Sequence, residues 1–294
     1  MKTKRIAIFV LYVVSILIFD TLVRSIGASS DFENYELAMT MGYSEISNNF
    51  YYIKEPSLWY VQKYLYEIFG SPILAWILID LSLVVLCVCA LVQKNASPKY
   101  LLIYFLSFYS ILGMFNTYRQ FVALAIVGWL SVLVDVRKIV LFAMTFHWIS
   151  ALALFFIKIT RLDVIVGLML LMASLFLLDN SGFDIHELMS DRAAVDSGRF
   201  FVVPYTFLVL YLAQSFYGYT KSKLLLIGVV MLLASFVIGS VSQYERVLLA
   251  LFQLVIPYAI ANNLHGQRFF SIFCVVSLGM NLFHPTIHAL IGLG

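Results

Sequence analysis

A single arginine interrupts the most apolar part of this sequence. Arg119 lies in the polar stretch 116–120, between the apolar runs 100–115 and 121–134. A guanidinium at the edge of a bilayer core costs about 3 kcal/mol on insertion scales, so it snorkels, pairs or serves a water-facing site. We predict that Arg119 holds a phosphate in a pocket open to the outer face of a membrane. The alternative is an arginine that only marks the end of a helix.

Other side chains complete a candidate site around this arginine. Arginine forks bind phosphate bidentately and offset the charge on a departing diphosphate, while a carboxylate or neutral imidazole takes a proton from a hydroxyl. This chemistry favours an anionic substrate carried on a lipid. The candidates that we expect on one side of the membrane are Asp31, Glu33, Glu55, Arg119, His147, Arg192, Arg199, Glu245 and Arg246.

Each candidate also has a purely structural interpretation. His147 can be a packing histidine, Arg192 and Arg199 can form surface ion pairs, and Glu245 and Arg246 can be neighbours at a helix start. No His, Cys or carboxylate group has metal-ligand spacing, so we predict a mechanism without metal. The alternative is a divalent ion held by acidic pairs such as Asp31 and Glu33.

The composition indicates which elements position these residues. Hydrophobic residues make up 62% of the 294 and charged residues 12%. The apolar runs have the length of helices that cross a bilayer and lack the ten-residue alternation of a membrane barrel. The sequence therefore predicts an all-α, polytopic transmembrane bundle in one domain, residues 1–294. A net charge of +3 gives no indication of nucleic acid binding, and the three cysteines fall in apolar runs as packing residues.

Basic residues before the first run, 6–19, predict a cytoplasmic start. Residues 25–70 then form an external region, which consists of a polar loop over 25–55 and an amphipathic helix over 58–69. Aromatic side chains on such a helix usually rest at the membrane interface, and carbohydrate stacking is the alternative. These side chains are Trp59, Tyr60, Tyr64 and Tyr66.

The sidedness of the later segments depends on residues 139–157. After spans over 73–92, 100–115 and 121–134, this stretch is either one helix or two short segments that meet at His147. A break leaves more of the 19 basic residues inside, so the positive-inside rule favours it. Broken helices line cavities or are buried in protein.

The remaining chain continues the alternation of spans and loops. We expect Asp80, inside the span 73–92, to pair with a neighbouring helix. Residues 179–199 form a second external loop, and spans follow over 200–217, 224–241, 247–261 and 269–283. The total is about 10–11 membrane segments, some of them short or broken.

Four motifs resemble those of the EpsG family of Wzy-type polysaccharide polymerases. They are Asp31-Phe-Glu-Asn-Tyr35, Glu55-Pro56, Tyr118-Arg119-Gln120-Phe-Val-Ala123 and Phe146-His147-Trp148-Ile149-Ser150-Ala151. The motifs fall between residues 20 and 160, and the rest of the resemblance is a helix pattern with an arginine-bearing loop. The pattern of the family often reads His-Pro-Ser or His-Trp-Ser. This sequence departs from it because Ile149 separates Trp148 from Ser150.

The resemblance implies a membrane glycosyltransferase with a GT-C-like fold and no cofactor. It would join oligosaccharide units carried on undecaprenyl diphosphate at the outer face of the bacterial cytoplasmic (inner) membrane, beside a flippase and a chain-length regulator. Arg119, Arg192, Arg199 and Arg246 would hold the diphosphates, and His147 or Asp31 would be the base. Glu55 would orient a sugar hydroxyl, and the other polar contacts would come from Tyr35, Gln120 and Glu245.

Other functions fit parts of the same pattern. A transporter or flippase of lipid-linked glycans also uses polar residues in broken helices. Within enzymes, an O-acetyltransferase or a ligase of the same glycan is an alternative. A structural assembly partner without chemistry is a further alternative, but it leaves the arginine and the histidine unexplained.

Overall fold

The computed structural model describes residues 2–25, 30–49, 52, 55–147, 150, 153 and 241–282. Every regular element among these residues is a helix, so the all-α part of the predicted fold is confirmed. In chain order the helices are α1 Lys2–Ser25, α2 Ser30–Thr40, α3 Tyr43–Asn48, α4 Pro56–Phe69, α5 Pro72–Gln93, α6 Lys99–Phe105, α7 Phe108–Asn116, α8 Tyr118–Leu133, α9 Val136–Met144, α10 Val241–Ala261 and α11 Arg268–Gly279. A short 3-10 helix, Met280–Leu282, follows α11.

The chain divides into two compact units. The first comprises residues 1–153 together with 249–294, and the second comprises residues 154–248. Only the first eight residues of α10, 241–248, are described in the second unit. The prediction of one integral membrane domain over residues 1–294 stays a prediction.

Two described helices are long and apolar enough to cross a bilayer, over Lys4–Leu22 in α1 and Pro72–Gln93 in α5. In α1, large apolar side chains such as Ile6 and Leu11 are exposed. Apolar side chains on one helix that no other element covers are suited to lipid contact. Helices α8 and α11 and residues 250–261 of α10 are apolar but shorter.

A tight turn separates the amphipathic helix α4 from α5. Gly70 ends α4 with φ 66°, a left-handed conformation that glycine adopts without steric cost. Ser71 then caps α5, since its side chain accepts a hydrogen bond from the backbone N–H of Leu74, and Pro72 occupies the first helical position. The predicted helix over 58–69 is confirmed, with a start two residues earlier.

Two sequence predictions differ from the structure. The predicted span over 100–115 is two helices, α6 and α7, because Ser107 bonds the Tyr104 carbonyl and its oxygen caps the N–H of Ser110. The polar segment over 25–55, predicted as a loop, contains α2 and α3. Aromatic and aliphatic residues of that segment, including Tyr35 and Ile46, are buried and supply the packing that makes these helices stable.

Helix α8 forms the centre of the first unit. Its side chains are buried on nearly all faces, and it packs against α5, α7 and α9. Tyr104 of α6 contacts Phe121 and Trp129 of α8 in this core. The start of α8 is therefore fixed against several other helices, and Arg119 lies in its first turn.

Candidate functional site

The polar stretch 116–120 is a junction between two helices. Thr117 alone separates the two helices: it is the C-cap residue of α7 and the N-cap residue of α8, with φ −135° and ψ 55°. Arg119 is the second residue of α8. The structure thus places the arginine at a helix start, where the peptide dipoles carry partial positive charge and favour an anion.

Arg119, Glu55 and His147 meet at this junction. The Arg119 Nη1 donates to Glu55 Oε2 at 2.7 Å, and Glu55 Oε1 lies 3.6 Å from His147 Nδ1. The Glu55 side chain is only 4% exposed, whereas those of Arg119 and His147 are 13% and 15% exposed. One buried carboxylate therefore stands between a guanidinium and an imidazole that both reach the surface of the unit.

Local backbone structure brings Glu55 to His147. Pro56 at the first position of α4 keeps Glu55 outside the helix, with φ −143°. The next residue, Ser57, donates its N–H to the Thr145 carbonyl at 3.1 Å, and the two hydroxyl oxygens lie 2.6 Å apart. Thr145 belongs to the turn that ends α9 at Met144. Helix α9 therefore ends before His147, as the predicted break requires, and the segment predicted over 149–157 lies outside the described residues except at Ser150 and Ala153.

Aromatic rings line the same site. Tyr35 of α2 stacks on Trp59 of α4 with centroids 5.1 Å apart, and its hydroxyl accepts the backbone N–H of Arg119 at 3.3 Å. The Arg119 guanidinium lies over the Trp59 ring at 4.9 Å. Tyr52 meets the same indole edge to face. The indole therefore supports both the arginine and the tyrosine that bonds its backbone.

The structure brings four of the predicted site residues together, namely Arg119, Glu55, His147 and Tyr35. A fifth, Gln120, is buried in the same helical turn as Arg119. Asp31 belongs to α2, and Glu245 and Arg246 belong to α10, but the positions of these three side chains are not described. Arg192 and Arg199 lie outside the described residues.

Trp59 is a site residue that sequence reasoning assigned elsewhere. The prediction of an interfacial ring is wrong for Trp59, which is buried between Tyr35 and Tyr52. Trp59 follows Glu55 by only four residues, in the first turn of the helix that begins after this carboxylate, and this proximity in the sequence could have found it. Tyr64, from the same predicted set, is exposed.

A separate polar cluster joins α3 to α4. Tyr60 lies parallel to Tyr43 with centroids 6.1 Å apart, and Lys63 lies 4.8 Å above the Tyr43 ring. The Tyr43 hydroxyl donates to Glu67 at 2.8 Å. This bond, and then the one from Lys63, holds the pKa of Glu67 below its usual value. Tyr60 and Lys63 therefore contact the ring of Tyr43, and Glu67 accepts a hydrogen bond from its hydroxyl.

The structure contains a second buried cluster of polar side chains, which the sequence analysis did not predict as a group. Arg24 Nε donates to Asp20 Oδ1 at 2.8 Å, and Arg24 Nη2 donates to Asp80 Oδ2. The Tyr118 hydroxyl donates to Asp80 Oδ1 at 2.9 Å, and the guanidinium lies over the Tyr118 ring at 4.8 Å. We call these four residues the Arg24 cluster. The predicted pairing of Asp80 with another helix is confirmed.

Among the residues that the structure describes, no group of three or more His, Cys, Asp or Glu side chains is arranged to hold a metal ion. Cys87 and Cys274 are buried thiols, and Cys89 is exposed.

The Arg119 site combines a cation, a carboxylate and an imidazole at a helix start. The carboxylate can orient the imidazole, the imidazole can accept a proton, and the guanidinium can bind an anion. No protein-family model matches the chain, and no curated protein or solved structure matches it either.

Proposed function

We propose that this chain is a multi-pass membrane enzyme that joins oligosaccharide units carried on undecaprenyl diphosphate, at the outer face of the bacterial cytoplasmic membrane. The observation that carries the proposal is the meeting of Arg119, Glu55 and His147. These three side chains come from separate parts of the chain. Their meeting supplies the anion-binding and proton-accepting groups that such a transfer needs.

The diphosphate of the donor lipid binds at Arg119 in this proposal. A guanidinium presents its N–H donors in a planar fork that matches the oxygen atoms of a phosphate, and the bond to Glu55 fixes the position of this fork. The partial positive charge at the start of α8 adds to the attraction for an anion. Glu55 keeps the guanidinium in place before the substrate arrives.

His147 accepts the proton of the attacking hydroxyl. The bond from the acceptor sugar oxygen to the donor's anomeric carbon forms while the bond from that carbon to the diphosphate oxygen breaks. The hydroxyl proton moves to the imidazole, and Arg119 offsets the charge left on the diphosphate. The separation of 3.6 Å between Glu55 and His147 is too long for a hydrogen bond, and we expect it to shorten when substrate binds. Glu55 would then orient the imidazole of His147. This role replaces the one predicted from the resemblance, in which Glu55 orients a sugar hydroxyl.

The membrane placement is part of the same proposal. It is supported by the exposed apolar side chains of α1 and by an exposed apolar stripe on α4 that includes Val61, Tyr64 and Ile68. The basic residues in the first turns of α1, Lys2, Lys4 and Arg5, favour a cytoplasmic start. An outward site also agrees with the sidedness that the break at His147 implies.

The test is polymerisation by the purified protein. Wild-type protein incubated with lipid-linked repeat units should give a ladder of products on a gel. Arg119→Ala should lose the long products at least about 100-fold, because removing a stabilising donor costs this much in comparable sites. His147→Gln, which cannot cycle a proton near neutral pH, should act in the same direction. The matched control is Arg268→Ala, which removes an exposed arginine at the start of α11.

Size-exclusion chromatography in detergent shows that each variant is folded. A normal ladder from folded Arg119→Ala would rule out the proposed role of this site. Loss of the ladder in Arg268→Ala as well would show a general effect of removing positive charge, which also contradicts the proposal.

A transporter of lipid-linked glycans is the second candidate, and the Arg24 cluster favours it. Ionisable groups inside membrane segments often belong to substrate or proton paths. Proteoliposomes discriminate the two functions. A transporter moves lipid-linked units between leaflets and forms no new glycosidic bond, whereas the polymerase lengthens the glycan without a change of leaflet.

A further inference from the structure

The Arg24 cluster is connected to the candidate site through the first residue of α8. We propose that Arg24 and Asp80 are positioning residues, which hold Tyr118 and thereby set where Arg119 stands relative to Glu55. The inference deepens the proposed function and rests on it. It assigns to the buried cluster a task in diphosphate binding, although none of its members touches substrate.

Tyr118 is held on three sides by described contacts. Its hydroxyl donates to Asp80 of α5 at 2.9 Å, and its ring packs under the guanidinium of Arg24 from α1. Tyr35 meets the ring edge to face at a centroid distance of 5.9 Å. The backbone at the start of α8 is therefore tied to α1, α2 and α5.

The connection to Arg119 is direct because the two residues are adjacent. Tyr35, which contacts the Tyr118 ring, also accepts the backbone N–H of Arg119. A shift of Tyr118 moves this N–H and the origin of the Arg119 side chain together. The guanidinium would then leave the geometry in which Nη1 reaches Glu55 at 2.7 Å.

Burial makes the Arg24 cluster a rigid support. The side chains of Arg24 and Asp20 are fully buried, and that of Asp80 is 1% exposed. Buried charges that lose a partner have no water to replace it, so they resist rearrangement. A hydrogen bond to Asp80 therefore fixes the phenol more firmly than a bond to a surface group would.

The test is a steady-state comparison of Tyr118→Phe with wild type in the polymerisation assay. Phenylalanine keeps the ring under Arg24 and against Tyr35 but cannot bond Asp80. We expect kcat/KM to fall about 10- to 100-fold, as for catalytic groups displaced by about 1 Å. The KM for the lipid-linked unit should rise, and the pH profile should keep its shape because His147 is unchanged.

A merely structural role predicts a different result. Partial unfolding lowers the active fraction, so the maximal rate falls while KM stays constant. That outcome, or wild-type kinetics in Tyr118→Phe, would overturn the inference. Arg24→Lys is the second variant, because it keeps the charge beside Asp80 but lacks the planar fork, and its KM should rise in the same way.

Two controls separate this inference from the proposed function. Tyr100→Phe also removes a tyrosine hydrogen bond, from its hydroxyl to the His265 carbonyl, and it should leave KM unchanged. In an Arg119→Lys background, Tyr118→Phe should cost less than it does alone, because both act on one guanidinium. If the effects of Tyr118→Phe and Arg119→Lys on kcat/KM are fully additive, the positioning role is refuted. Activity in Arg119→Ala refutes the proposed function instead.

Discussion

Arg24 holds two carboxylates and one aromatic ring in the interior of the first unit. Asp20 lies four residues earlier on the same helix, and Asp80 comes from α5. If both carboxylates and the guanidinium are ionised, the cluster carries a net negative charge in a site that excludes water. The arginine is therefore the member whose loss leaves the most uncompensated charge.

Substitutions at Arg24 and Asp20 should differ sharply in their effect on stability. Arg24→Met leaves Asp20 and Asp80 facing each other, and we expect the free energy of unfolding to fall by about 3–5 kcal/mol. Asp20→Asn keeps the Arg24 and Asp80 pair, and the loss should stay below about 2 kcal/mol. Unfolding in SDS–detergent mixtures, followed by circular dichroism, measures both values. Equal losses would mean that charge balance does not govern this cluster.

Some of these residues could be found from the sequence and others could not. Arg119 and His147 were singled out because each interrupts an apolar run, and Asp80 was expected to pair for the same reason. Arg24 lies where the apolar run gives way to polar residues, so the sequence suggested only the start of a loop. Its partner on α5 is 56 residues away in sequence, and local patterns carry no information about such contacts.

At the scale of elements, α8 and α10 approach so closely that side-chain size decides their packing. A methyl group on Gly128 of α8 would lie 3.0 Å from the Pro257 ring and 3.4 Å from Leu254. A proline ring is rigid and cannot swing away as a long side chain can. The contact between the two helices therefore depends on the absence of a side chain at position 128.

Gly128→Ala should lower the free energy of unfolding by about 1–3 kcal/mol through overpacking. Pro257→Ala removes the ring atom that the new methyl group meets, so the double variant should recover much of this loss. A double-mutant cycle measured by thermal unfolding in detergent gives the coupling between the two positions. Gly279→Ala, at the end of α11, is the control for loss of a helical glycine without crowding, since nothing lies within 4 Å of its added methyl group. Strict additivity of Gly128→Ala and Pro257→Ala would contradict the close approach.

The helices themselves were more predictable than their breaks. The apolar run over 73–92 indicated α5 to within one residue at each end, whereas α1 begins four residues before the run over 6–19 and ends six residues after it. The break between α6 and α7 was missed, because one serine inside an apolar run is a weak signal and its capping bond appears only in three dimensions. The break before His147 was predicted from a different argument, the distribution of basic residues, which depends on the whole chain.

For the molecule as a whole, sidedness carries the proposed function. The first unit contains the Arg119 site and, among the described residues, two helices that are long enough to span a bilayer. The proposal requires the site on the outer side and the turn after α5 on the inner side. Arg5 of α1 bonds Asn95 and Ala96 in that turn, so the start of the chain and the end of α5 should share one side.

Labelling of single cysteines in whole cells tests this arrangement. The background protein carries Cys87→Ala, Cys89→Ser and Cys274→Ala, and new cysteines replace the exposed residues Ser44 and Ser97, one at a time. Ser44 lies in α3 beside Tyr43, which bonds Glu67 near the end of α4 and so near the start of α5, and Ser97 lies in the turn after α5. A maleimide that cannot cross membranes should label position 44 in intact cells, because a short polar segment cannot remain in the hydrocarbon region. Position 97 should react only after permeabilisation. Labelling of both positions in intact cells would place the two ends of α5 on one side, and the outward site would have to be abandoned.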